Sequence, residues 1–428
     1  MRSTRTWRLS SSTFAIALLV STSLAACGGS GSKKTADQPK HNFKTTPVRL
    51  QINTAINTVA AGSFPEAIAS VKAAARAVND AGGINGHELV VSSCNTKADP
   101  NAEVACARQT VSDGAIASVG TIAFNDLDGY LTTLKKADIA DVGPNVIGTE
   151  QAQYTNSFPI TFNFGGIAEC AGKAMLQQAG GNKVAAFITD TPTGALVGNF
   201  IAGASLNSGA KYVGTVLIPA TVTDYTPYVQ RVADENPDVV VGSMSLEQMQ
   251  AFIASAYSTG HHWKFCSFIS STLGSLGEKL GAAAPSLYHG ATIPPLGDAD
   301  KNPGLKRYLA EMKAEEDAGD ADARTDPDHY SATGAEAWLA TQAFVDIAKQ
   351  IPGTLTRRKF LAAISKGKFD GAGMVRAMDF TKPLGVGKGP FPRIFNDKAW
   401  LSKWSPDQKV FVMVPGSELG AIKALFGG

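Results

Sequence analysis

Residues 65–92, PEAIASVKAAARAVNDAGGINGHELVVS, decide the fold. The first half is alanine-rich with apolar residues at helical spacing, which predicts a helix over 65–79, ended by Asp80-Ala81-Gly82-Gly83. The last residues, 88–92, read as a strand. Working backward across a Gly62-Ser63 turn, residues 48–52 alternate and carry β-branched side chains, as a strand does. Working forward, a helix starts near Pro100 and runs to Val111, followed by a strand over 115–120. This βαβαβ rhythm predicts a parallel sheet with helices on both faces.

The rhythm restarts after Gly165-Gly166. Helices are predicted over 168–178, 194–207, 226–233 and 246–258, interleaved with strands over 183–189, 211–218, 238–241 and 264–269. These make a second complete α/β lobe. A strand near 287–292 leads into a Pro- and Gly-rich crossing, 293–304, and then two long helical patterns, 305–318 and 332–350. Those helices need a sheet to cover, and the first lobe's sheet is one candidate.

The chain opens with Arg2, Arg5 and Arg8, continues through an apolar run over 14–20 and reaches Leu24-Ala25-Ala26-Cys27. The run falls short of the roughly 20 apolar residues that a spanning helix needs, so it reads as an export signal, with residues 1–26 removed. The four residues ending at Cys27 resemble the lipobox of bacterial lipoproteins, in which the cysteine is diacylated. Two acyl chains suffice for stable anchoring to a membrane. Residues 27–47 then serve as a flexible tether rich in Gly, Ser, Lys and Thr. The expected location is outside the cytoplasm, anchored to the cell membrane by lipid.

The remaining length suits two ordinary domains. Apolar content of 44% and a net charge of +2 point to neither a disordered chain nor a nucleic-acid footprint. Beyond Cys27, the even set Cys94, Cys106, Cys170 and Cys266 in an exported chain predicts two disulfides. The expected pairs are Cys94–Cys106, in one strand-to-helix unit, and Cys170–Cys266, in one later segment. No metal is expected at these cysteines, because none has a close Cys or His neighbour at ligand spacing.

Asn79-Asp80-Ala81-Gly82-Gly83-Ile84-Asn85-Gly86, followed by an apolar strand, resembles the signature of the branched-chain amino acid-binding family of periplasmic binding proteins. Further segments agree in order and spacing: Asp99-Pro100 with Val119-Gly120, Asp224-Tyr225-Thr226, Pro237-Asp238-Val239-Val240, and Asp379-Phe380-Thr381 with Phe395-Asn396. The resemblance implies an α/β fold of two Rossmann-like lobes, the type I arrangement, joined by a three-strand hinge with a ligand cleft between them. Residues 48–163 and 293–376 would form lobe 1, and 164–292 with 377–428 lobe 2. The crossings would fall near 162–166, 290–295 and 375–381.

By this resemblance the protein is a monomer that captures a small solute by hinge closure and delivers it to an ABC permease and its ATPase, with no cofactor and no chemistry of its own. The alternative on the same fold is a ligand-sensing module of a signalling system without transport. Ligands of open α/β sheets bind beyond the carboxyl ends of strands. Carried over position by position from the family, the first-lobe cleft would be lined by Ser63, Phe64, Phe124, Asn125, Asn145 and Val146. The second lobe would supply Thr193, Ser243 to Ser245, Ser270 and Ser271, and the returning chain Tyr330. Family members that hold amino acids usually present a Ser after the third strand, an Ala-Thr pair in the next loop and a second-lobe acid. The corresponding places here read Phe124, Val146-Ile147 and no acid near Ile269. Since an unpaired buried charge costs several kcal/mol, a less charged ligand of apolar or aromatic character is expected.

Other signals are weaker. His261-His262 are adjacent rather than one helical turn apart, and with His41, His87, His289 and His329 they make no ligand pattern for a metal. Gly385-Val386-Gly387-Lys388-Gly389 lacks the Lys-Ser/Thr ending of a phosphate loop, and the acidic stretch 315–328 lacks EF-hand spacing. No nucleophile elbow or Ser-His-Asp pattern is supported by spacing, so the expectation is that the protein is not an enzyme.

Overall fold

A computed structural model describes residues 41–58, 62–190, 192–219, 221–268 and 273–427. The chain begins with β1 (Lys44–Thr54), α1 (Pro65–Asp80), β2 (His87–Asn95), α2 (Pro100–Ser112) and β3 (Ala117–Val119). It continues through α3 (Leu127–Lys136), β4 (Ala140–Val142) and β5 (Ser157–Phe158). The five strands form a parallel sheet in the order β2-β1-β3-β4-β5. The helix starts are chemically fixed: Asp99 accepts from the Ala102 amide ahead of Pro100, and Asp126 accepts from Gly129 at the start of α3.

The second half opens with α4 (Gly165–Cys170) and α5 (Lys173–Ala179), where the sequence predicted a single helix. Gly172, with ψ 173°, is extended and breaks the two apart. Then come β6 (Lys183–Thr189), α6 (Pro192–Asn207), β7 (Lys211–Ile218), α7 (Thr226–Asp234) and β8 (Val239–Ser243). α8 (Leu246–Ser258), β9 (Lys264–Ser267), α9 (Leu273–Leu280) and β10 (Leu287–Ala291) complete this part. The returning chain forms α10 (Pro303–Asp317), α11 (Ala332–Lys349), α12 (Arg357–Ile364) and the β11 (Lys368–Phe369)–β12 (Met378–Asp379) hairpin. It ends with β13 (Lys398–Ser405), β14 (Val410–Met413), β15 (Leu419–Gly420) and α13 (Ala421–Phe426). The second sheet runs β14-β13-β10-β9-β8-β6-β7, with β15 beside β13. It is parallel from β10 to β7 and antiparallel where β13 meets its neighbours.

Helix α11 packs on the first sheet, and α10 packs on α1 and α11. Trp338, Leu339 and Phe344 of α11 join Leu50, Ile52, Val119 and Val142 in one core. The second sheet has a core on each face, one around Phe162, Ile188, Cys266 and Leu401, the other around Phe187, Phe252, Phe265 and Leu287. Met378, Phe380 and Phe395 pack in the first core, while Phe391 and Ile394 pack in the second. The third passage between lobes therefore lies within 381–397, later than the expected 375–381. The expectation failed because the β11–β12 hairpin still belongs to the first lobe.

Both disulfides are present, Cys94–Cys106 with Cα atoms 5.6 Å apart and Cys170–Cys266 with Cα atoms 5.4 Å apart. The first pins β2 to α2 and the second pins α4 to β9. Replacing Cys94 and Cys106 by alanine is expected to cost about 2–3 kcal/mol, because the short loop they close is released in the unfolded chain. Urea unfolding of the variant checks this.

Candidate functional site

The carboxyl ends of the strands of the two sheets, and the passages between them, define the candidate site. In the first lobe Phe64 follows the β1 loop and Phe124 the β3 loop, and their rings stack with centroids 6.2 Å apart. Both are half-buried, resting on the first core beside Ile147 and Tyr330. The Phe64–Phe124 pair thus presents aromatic surface at the end of this sheet, while Ile147 and Tyr330 pack against the same core. Ser63 is exposed and its Oγ accepts from the Asn57 amide at 3.0 Å.

The polar atoms of the first-lobe loops are largely spoken for. Glu103 of α2 is fully buried, and its carboxylate accepts from the amides of Phe124 (2.7 Å), Asn125 (3.0 Å) and Asp126 (2.7 Å). The Asn125 side-chain amide also donates to Glu103 and to the Ala98 carbonyl. In the next loop, buried Gln151 accepts from the amides of Ile147 (2.7 Å) and Gly148 (3.0 Å), and Asn163 accepts from Val146 (3.1 Å). The Asn145 amide donates to the Thr121 carbonyl. The protein has supplied its own acceptors to the N–H groups that could otherwise cradle an anion.

Val146 is 1% exposed and packs in the second core, so its side chain braces the lobes against one another instead of facing a cleft. In the second lobe Ser245 caps α8: its Oγ accepts from the Gln248 amide, and Gln248 reaches back to the Ser245 amide. Ser243 is half-buried at the end of β8. Ser270, Ser271 and the Thr193 side chain lie outside the described residues, as does Cys27.

The first and second passages converge on Glu336 in α11. This buried carboxylate accepts from the side-chain amide of Asn145 at 2.7 Å, from that of Asn163 at 3.4 Å and from the Thr292 hydroxyl at 3.3 Å. Burial pushes its pKa upward, and the surrounding donors, Asn145 first, oppose that shift. One side chain thus ties a first-lobe loop to the first and second passages. Beside it the backbones of those passages touch: a Cβ at Gly290 would sit 2.0 Å from the Gly166 carbonyl oxygen, and one at Gly166 2.5 Å from that of Gly290. Only glycine permits this approach. Glu336→Gln turns one carboxylate oxygen into an NH₂ facing donors, and is expected to cost about 1–3 kcal/mol of stability in urea unfolding.

Tyr330, at the entry to α11, donates its hydroxyl to the Pro294 carbonyl at 2.8 Å. With His289, Ile293, Pro294 and Phe411 it lines a cavity where the second passage leaves β10. A separate open depression lined by Thr132, Lys135 and Tyr154 lies toward the amino ends of the first sheet's strands, away from these loops.

Sequence reasoning missed Glu103, Gln151, Glu336 and His289. Glu103 carried a signal: it shares a helical face with Cys106, Ala107 and Thr110, all buried. An acid in a buried register is a question about its partner. Glu336, in a helix that is buried throughout its first turns, carried the same one.

A sequence model described as periplasmic binding protein matches residues 48–391. Among solved structures, the fatty acid ABC transporter substrate-binding protein from Thermomonospora curvata aligns with TM-score 0.71 and 16% identity, covering 90% of this chain and 96% of that one. A solute-binding protein of an ABC transporter from Rhodopseudomonas palustris HaA2, in complex with p-hydroxybenzoic acid, aligns at 0.69 and 15%, covering 88% and 98%. A branched-chain amino acid transporter substrate-binding protein from Streptococcus pneumoniae, in complex with isoleucine, aligns at 0.64 and 14%, covering 86% and 99%. At such identities the likeness establishes the fold. A search of curated protein sequences finds no match.

Proposed function

The chain belongs to the periplasmic binding protein family, and from that premise we propose that it is the extracytoplasmic solute-binding component of an ABC importer, with an apolar or aromatic cargo that is not a standard amino acid. The observation that carries the cargo class is the occupation of the first-lobe loop amides by Glu103 and Gln151 beside the Phe64–Phe124 stack. A zwitterion needs donors for its carboxylate and a partner for its ammonium. Here the amides of residues 124–126, 147 and 148 are already used, and the Phe64–Phe124 pair offers ring surface beside them. The structural relatives with fatty acid and hydroxybenzoate cargoes lend this support.

Capture works by hinge bending about the three passages: the second lobe adds its contacts, water leaves, and the permease engages the closed form. Glu336 gives the pivot a fixed centre. Cys27, acylated, would keep the protein beside its permease through a tether shorter than the expected 27–47, since β1 already begins at Lys44, and the bound solute is released unchanged. The test is a thermal-shift screen of amino acids, sugars, aromatic acids, nucleosides and fatty acids. Ligand at 100 times its dissociation constant adds about 2.7 kcal/mol of stability. Stabilisation by aromatic or fatty compounds, recovered intact, is the expected result, and a preference for leucine over them overturns the cargo assignment.

A further inference from the structure

His289 stands in β10 between Ser267 of β9 and Ser402 of β13 and is 8% exposed. Its Nδ1 lies 2.9 Å from the Ser267 carbonyl oxygen. A carbonyl only accepts, so Nδ1 carries the proton and Nε2 is left with its lone pair. Burial lowers the pKa of the ring to about 4, against a smaller opposing effect of the Ser267 hydrogen bond, so the imidazole is neutral. Nε2 has no partner among the described residues, and the side chain lines the cavity beside Ile293, Pro294, Tyr330 and Phe411.

Tyr330 repeats the logic. Its hydroxyl proton is committed to the Pro294 carbonyl, so its oxygen meets the cavity as an acceptor. A space walled by alkyl and aromatic groups therefore presents two acceptors and no side-chain donor from these two residues. It measures about 50 Å³. That is far below the roughly 300–1,000 Å³ of a complete small-molecule site, so it suits one end of a ligand. It also lies where the lobes meet, since a Cβ at Gly274 of α9 would reach 1.8 Å from the Pro327 carbonyl oxygen of the loop before α11.

We infer that this cavity is a subsite for a hydroxyl or N–H group carried on an apolar or aromatic ligand, with His289 Nε2 as the acceptor that selects it. The inference rests on the proposed solute-binding role and names one polar feature of the cargo. An ether or a methyl group in the same position leaves Nε2 buried without a partner, and that penalty is the source of selectivity.

The experiment measures binding of phenol, anisole and toluene to the full chain by ligand-observed NMR, with leucine as a fourth probe. Phenol is expected to bind about 10-fold more tightly than anisole or toluene, one hydrogen bond's worth. His289→Leu is expected to bring that ratio to about 1. In the wild-type protein labelled with ¹⁵N at histidine, phenol is expected to shift the unprotonated Nε2 resonance, a readout that holds even if the variant fails to fold. Equal binding of phenol and toluene, an unchanged ratio in His289→Leu, an unmoved Nε2 resonance, or no binding of any aromatic probe overturns the inference. Aromatic binding without hydroxyl preference leaves the proposed cargo class standing, whereas binding of leucine alone overturns that class as well.

Discussion

Glu103→Ala is expected to lower the unfolding free energy by about 3–5 kcal/mol, a large part of the roughly 5–15 kcal/mol that holds an ordinary domain together. The carboxylate joins three consecutive backbone amides, those of Phe124, Asn125 and Asp126, to the first turn of α2. Truncation takes away a charge-assisted acceptor and leaves a void among donors. The loop carries Phe124, so the aromatic pair with Phe64 loosens with it and ligand-induced stabilisation should vanish. Glu103→Gln, which keeps the shape and one oxygen, should fall between the two. Urea unfolding of the three proteins measures this, and a loss within 0.5 kcal/mol for the alanine variant, about the scatter of ordinary surface changes, would show that water replaces the carboxylate without penalty.

The second large effect is a pH dependence written into α4. Glu169 is fully buried, and neither carboxylate oxygen has a hydrogen-bond partner among the described residues. Burial first, and the nearby Glu418 second, push its pKa up to about 8. The folded state therefore holds a proton that the unfolded chain, with an ordinary carboxyl group, releases at much lower pH. Stability from this group is complete below the unfolded pKa and is lost as pH rises toward and through about 8. The loss between pH 5 and pH 9 should be on the order of 4 kcal/mol. Asp141, also buried and raised to about 7, adds a change of the same sign. Comparing wild type with Glu169→Gln isolates the α4 contribution, since the amide does not titrate. Equal pH slopes for the two proteins would mean that Glu169 reaches solvent or a partner and is ionised throughout.

Particular residues show how much could be read in advance. The αβ rhythm was legible because α1, α2 and α8 each follow a turn or cap with apolar residues at helical period, and β6, β7 and β8 are β-branched runs between breakers. β4 and β5, at three and two residues, are too short for periodicity to show. β13 reads KAWLSKWS and pairs with β10 across more than a hundred residues, so nothing local announced it. The split of α4 from α5 turns on one glycine whose extended conformation depends on packing. Of the candidate site residues, Phe64 and Phe124 stack on one another, because each lies in a loop that follows a strand of the same sheet. Asn125 and Ser245 sit in such loops too, yet their polar groups hold the loops in shape.

The sequence by itself determined the two α/β lobes and the four paired cysteines, since these follow from short-range period, turn chemistry and chain order. Only the tertiary structure decided which polar groups remain open. A carboxylate at 103 or 336 and an imidazole at 289 look the same in sequence whether they face solvent, a ligand or the protein's own amides. Hydrogen-bond satisfaction is a property of three-dimensional neighbours, and here it closes Glu103 and Gln151 around backbone, joins the passages through Glu336 and leaves the acceptor of His289 open.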